Sequence, residues 1–177
     1  MKKLSLLLFL ASYTLSAQER TVVINECMPN NPYTAADQDG EYNDWVELYN
    51  ISNSTINLQG YFLSDRRSEP TKFQFPNVSI AAQDYLIIWV DKDSLQTGLH
   101  TNFKLSASSE QVYLFSPDTN LIDYVHFFNM QADESIARTN DGNGPFEITN
   151  SSYNSTNGNN PAGIVINEWM AWNASEE

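Results

Sequence analysis

Apolar and polar positions alternate in short runs along most of the chain. In "DWVELYNI" Trp45, Glu47 and Tyr49 fall on one side of an extended backbone and Val46 and Leu48 on the other, the period-two pattern of a strand. "TVVINECM", "TINLQGYFLSD", "TKFQFP", "HTNFKLS", "EQVYLFS" and "LIDYVHFF" are further runs of β-branched and aromatic residues, punctuated by Asn, Asp, Gly and Pro. "DYLIIWVD" is apolar from Tyr85 to Val90, which predicts a strand buried on both faces or central in a sandwich. "EQVYLFSPDTNLIDYV" predicts a hairpin, with Pro117, Asp118 and Asn120 supplying the turn. No long segment carries a capped helical pattern. About eight short strands at this spacing predict an all-β sandwich or barrel.

The pattern breaks at both ends. Residues 1–17, "MKKLSLLLFLASYTLSA", place Lys2 and Lys3 before an apolar run and end on small residues, the layout of a secretory signal peptide cleaved after Ala17. The run is too short for a membrane span, so the expected mature chain starts at Gln18, has no transmembrane segment, and is secreted or held at the cell surface. From residue 139 to 162 the composition shifts to Asn, Ser, Thr and Gly. Such a stretch has little apolar surface to offset its ordering entropy and reads as a tail or linker. Beyond it, "IVINEWMAWN" (Ile164 to Asn173) repeats "VVINECMPNN" (Val22 to Asn31). Repetition at this separation points to tandem domains. The expected plan is therefore a signal peptide (1–17), a β-sandwich (18–138), a tail or linker (139–162) and the first strand of a truncated second repeat (163–177).

The 177 residues suit one domain able to bury roughly two thirds of its unfolded surface. The single cysteine, Cys27, cannot form an internal disulfide. Its place in an apolar run makes it a small hydrophobe and not a nucleophile. Formal net charge is −13, a surface that repels phosphate backbones and disfavours nucleic acid as a partner.

Candidate chemistry is sparse. His100 and His126 are the only histidines, each at or inside a strand-like run where a structural role is expected. No G-x-S-x-G, H-E-x-x-H or glycine-rich phosphate loop occurs, so no enzyme is expected. The densest polar cluster is "DQDGEYND", with Asp37, Asp39, Glu41 and Asp44. Alternate carboxylates beside a glycine are a candidate calcium site, although no EF-hand register fits; the competing reading is a solvated loop whose Asp and Gly set turns. No other cofactor is indicated. Glu26 and Glu47 stand inside strand runs, either outward or as buried groups capping loop amides, and capping is preferred. Trp45, Tyr61 and Trp89 are expected to fill the core, while the remaining aromatics leave sugar stacking open.

Taken in order, "VVINECMPNN", "ADQDGEYNDWVELYN", "INLQGYFLSD", "FQFP", "DYLIIWVD", "LHTNFKLSASSEQVYLF" and "DYVHF…ADESIARTNDGNGPF" resemble a bacterial lamin-tail domain over about Arg20 to Asn160. The resemblance implies an immunoglobulin-like β-sandwich. It is nearest to domains of secreted bacterial proteins, often in tandem, beside kinase-like domains of the spore-coat protein H type. Such domains are interaction or attachment modules, which implies a non-catalytic role toward a protein or cell-surface polysaccharide. A carbohydrate-binding module and a calcium-binding adhesion domain are the alternatives. Cys27 replaces a usual Val, Ile or Phe, and Ser109 a usual glycine. If position 109 needs a positive φ, the serine there is strained by about 1 kcal/mol.

Overall fold

The computed structural model describes residues 20–158; the signal-peptide run and the repeated phrase at 163–177 lie outside them. The described chain forms eleven strands and no helix. In order they are β1 (Val22–Met28), β2 (Trp45–Asn50), β3 (Ile56–Asn57), β4 (Phe62–Ser64), β5 (Phe73–Gln74), β6 (Ser79–Ile80), β7 (Tyr85–Trp89), β8 (Ser109–Phe115), β9 (Leu121–Phe128), β10 (Glu134–Asn140) and β11 (Asn143–Asn150). A five-stranded sheet in the order β11-β10-β1-β2-β7 faces a four-stranded sheet in the order β5-β4-β8-β9, with β3 and β6 paired separately. The expected all-β, immunoglobulin-like sandwich is the architecture found.

Alternation decides which side chains meet between the layers. Val46, Leu48 and Ile88 from one sheet pack with Leu63, Val112, Leu114, Val125 and Phe127 from the other, and Leu58, Phe75 and Phe103 join them from the loops. β1 keeps its apolar residues inward by a bulge. Ile24 pairs with Leu48 and Glu26 with Glu47, so Asn25 is the extra residue. Ile24 and Cys27 both reach the core despite an odd spacing.

The bulge frees backbone groups that side chains from the facing sheet and from the neighbouring strand β10 satisfy. Asp123 Oδ2 on β9 accepts the Ile24 N–H at 3.0 Å, and Arg138 Nε on β10 donates to the Ile24 carbonyl at 2.8 Å. The two side chains bond each other at 2.7 Å, and the guanidinium lies over the Phe146 ring. A buried ion pair placed this way is held by its hydrogen bonds as well as by charge.

Several expectations are corrected. β7 is not buried along its whole length: it ends its sheet, Tyr85 to Ile87 are half-buried and only Ile88 and Trp89 are enclosed, and at Trp89 its edge bonds the backbone of Leu99 and Thr101. "HTNFKLS" forms only isolated bridges, Trp89 with His100 and Asp91 with Lys104. "TINLQGYFLSD" is split at Gly60, whose φ of +84° makes the turn between β3 and β4. Ser109 is not among the residues with positive φ, so no strain falls on it. The largest correction concerns residues 139–158. They are not a tail: β11 pairs with β10 over its length, and residues 151–158 return as a strap across β1 and β2. The sandwich therefore extends past Arg138.

Candidate functional site

Asp37, Asp39, Glu41 and Asp44 lie in the loop from β1 to β2. Asp37 is buried and organises that loop. Its Oδ1 accepts the N–H groups of Asp39 and Glu41 at 2.9 Å each, and its Oδ2 accepts Asn43 Nδ2 at 3.1 Å. Burial acts to raise its pKa, but these three donors outweigh it and hold the carboxyl below the ordinary range. Asp39 is exposed and accepts the Thr97 N–H. Glu41 is exposed too. Asp44 is pushed up to about 6, chiefly by burial and further by the charge of Asp91. The four carboxylates do not gather into the candidate calcium cluster; only Asp37 joins a close group, and its companions come from elsewhere.

Those companions are Asp91, two residues past the end of β7, and His100. One donor atom from each of Asp37, Asp91 and His100 lies within 4.8 Å of the others, and all three residues are buried. His100 Nδ1 faces Asp91 Oδ2 at 2.8 Å, and Nε2 faces the Thr97 carbonyl at 3.1 Å. Asp91 Oδ1 accepts the Asp93 N–H. The sequence singled out Asp37 and His100 separately; nothing in their spacing joins them, because the fold brings two loops, β1–β2 and β7–β8, together at the start of β2 and the end of β7.

A second polar cluster lies under the strap. Glu26 and Glu47, opposite each other across β1 and β2, are fully buried. Glu26 accepts the Ser152 N–H at 3.1 Å and the Ser152 hydroxyl; Glu47 accepts Asn25 Nδ2 at 2.9 Å and the Asn154 N–H at 2.8 Å. Asn157 Nδ2 reaches the carbonyls of Asn25 and Arg138. This is the capping role preferred for the two glutamates. Burial raises both pKa values, that of Glu47 to about 8 with the charge of Glu26 adding to the effect. Beside them Tyr153 packs edge-on to Trp45 at 5.3 Å and against Trp89 at 6.0 Å. With Met28 and Ala35 these form a small second core, so Trp45 and Trp89 are interior as expected.

A family model for the Lamin Tail Domain matches residues 16–129. The chain belongs to that family. Its members are non-catalytic immunoglobulin-like domains. No curated protein matches the chain. β10, β11 and the strap lie beyond the matched span of this lamin tail domain, yet complete its larger sheet.

The outer face of its four-stranded sheet is uncharged. Cross-strand partners share a face, and the outward pairs are Phe62 with Phe115, Ser64 and Tyr124 with Tyr113, Gln111 with His126, and Ser109 with Phe128. Tyr113 and Tyr124 stack at 5.9 Å with 20° between ring planes, and His126 meets Phe128 edge-on at 4.6 Å. Tyr124 is 56% exposed and Phe128 55%. These two were hidden within an alternating run that gave no sign of which face was solvent. Cys27 is inert in this lamin tail domain: burial first, then neighbouring carboxylates, push its thiol well above the ordinary value. Among the described residues no helix is long and apolar enough to cross a membrane.

Proposed function

We propose that this lamin tail domain is a non-catalytic attachment module of an exported, cell-surface protein and docks its partner on the outer face of the β5-β4-β8-β9 sheet. The observation that carries this reading is the uncharged aromatic face around Tyr124 and Phe128, in a chain whose formal net charge is −13. Exposed aromatics grouped on one face are the composition of an interface core. Export rests on the layout of residues 1–17, and the repeated phrase supports a place in a tandem array within a larger bacterial protein, beside a kinase-like neighbour of the spore-coat protein H type. The buried carboxylates and thiol serve loops and core, which supports the absence of catalysis. The partner is a protein or a cell-surface polysaccharide, and the acidic chain disfavours nucleic acid.

Fluorescently labelled chain from Gln18 is expected to bind intact cells of its source, and Tyr124→Ser with Phe128→Ser to weaken that binding about tenfold or more without shifting the melting midpoint. Equal binding by the double variant would overturn the assignment of this face. A carbohydrate partner is favoured by one further observation, the exposed Tyr124 ring held near-parallel to the buried Tyr113 ring, which suits stacking of a neutral sugar on Tyr124. Retardation in gels containing neutral polysaccharides, abolished by Tyr124→Ser, would select it; unretarded migration would leave the protein partner.

A further inference from the structure

The geometry points to a divalent metal site of the zinc class formed by Asp37, Asp91 and His100, pinning the β1–β2 loop to the end of β7. Three buried ligand groups converge there, 8%, 7% and 6% exposed respectively, with donor atoms within 4.8 Å of one another.

The orientation of the imidazole is the second observation. Nε2 faces the Thr97 carbonyl, which can only accept, so Nε2 carries a hydrogen and donates it. A metal-bound histidine is held in this way, its distal N–H given to a carbonyl. In the neutral ring that leaves the Nδ1 lone pair aimed at a carboxylate oxygen 2.8 Å away. At that distance Nδ1 bonds the carboxylate when it carries a proton; a zinc ion taking both atoms as ligands would spread them to about 3.3 Å. A proton on Nδ1 would supply one charge against the two carboxylates, whereas a divalent ion with a neutral ring balances both.

The surroundings are built to hold these groups still. Asp37 is fixed by the amides of Asp39 and Glu41 and by Asn43, and Asp91 by the Asp93 N–H. Gly98, at φ +119°, turns the chain between Thr97 and His100; a Cβ there would meet Gln38 Oε1 at 2.9 Å and His100 Nε2 at 3.5 Å. The other charged groups around the cluster are Asp39, Glu41 and Asp93, whose amides bond Asp37 and Asp91, Lys92 beside Asp91, Asp44, which senses the charge of Asp91, and the exposed Lys104. One imidazole nitrogen with two carboxylates suits zinc and its neighbours; calcium prefers oxygen alone.

The chain from Gln18 to Glu177, stripped with chelator and dialysed against zinc, is expected to retain one zinc per chain by atomic emission and to melt several degrees higher than in chelator. His100→Gln should weaken zinc binding about 10- to 100-fold, whereas His126→Gln, at an exposed position, should leave it unchanged. Nitrogen NMR of the His100 ring provides a readout that survives a variant that fails to fold. With zinc added, a metal-bound Nδ1 and a protonated Nε2 support the site. Hydrogens on both nitrogens, or zinc retention equal in His100→Gln, would overturn it.

Discussion

Glu47 is a carboxyl group lying under the strap, opposite Glu26 and fully buried. Its ordinary value of 4.5 is raised to about 8, first by burial. A folded-state pKa above the unfolded one means that the stabilisation is complete below about 4.5 and is lost as pH rises through about 8. Glu26, also raised, and Asp44, at about 6, act in the same sense. Asp37 and Asp141 are lowered, so their contribution is present above 3.8 and is lost as pH falls through their folded values. The urea midpoint of the protein should therefore decline from about pH 5 to about pH 9, with Glu47 accounting for a change on the order of 3 kcal/mol. Glu47→Gln should flatten that decline, after a fixed offset of about 1 kcal/mol for the acceptor it loses. A wild-type midpoint constant over this interval would show that Glu47 titrates normally. The residue was legible as an oddity, a charge inside a strand run, and its capping role followed from the need to satisfy it; its backbone donor at Asn154 was not, because it lies 107 positions away.

At the scale of elements, the strands with strong alternation were readable and those made of polar residues were not. β1, β2, β4, β7, β8 and β9 coincide with apolar runs. β11 carries Asn143, Gly144, Glu147, Thr149 and Asn150 among its eight residues, too little apolar surface for a periodic signal. The strap is harder still to foresee, since its order comes from buried acceptors already present on β1 and β2 and from one aromatic, Tyr153. A chain ending at Asn150 leaves Glu26 and Glu47 without those donors and uncovers Trp45 and Trp89, the only tryptophans before residue 159. Compared with a chain ending at Gly158, it should lose about 3–5 kcal/mol of stability, and its tryptophan emission should shift to the red. Coincident melting curves and spectra for the two chains would show the strap to be dispensable.

For the molecule as a whole, two layers with apolar inner faces were legible because one face of each strand had to be buried; the Asp123–Arg138 link between layers was not, since neither residue departs from what a surface strand would carry. The repeated phrase bears on how one copy differs from the other. Aligned on Val22 and Ile164, the two share Asn25, Glu26 and Asn31 with Asn167, Glu168 and Asn173. In the first copy all three side chains hold loop or strap backbone: Asn25 accepts the Gly142 N–H, Glu26 the Ser152 N–H, and Asn31 donates to the carbonyls of Ala35 and Asn43. The repetition thus preserves the polar anchors together with the buried Val23, Ile24 and Met28, at Val165, Ile166 and Met170. One core-facing position is not preserved, because Trp169 stands where Cys27 does, and Cys27 is wholly enclosed in the main core. An indole in that space forces its neighbours off their rotamers. Replacing residues 22–31 by 164–173 should therefore destabilise the sandwich by about 3 kcal/mol or more, and restoring cysteine at position 27 of the chimera should recover most of that loss. A chimera melting with the wild type would mean that the core yields at this position and that either copy can serve as β1.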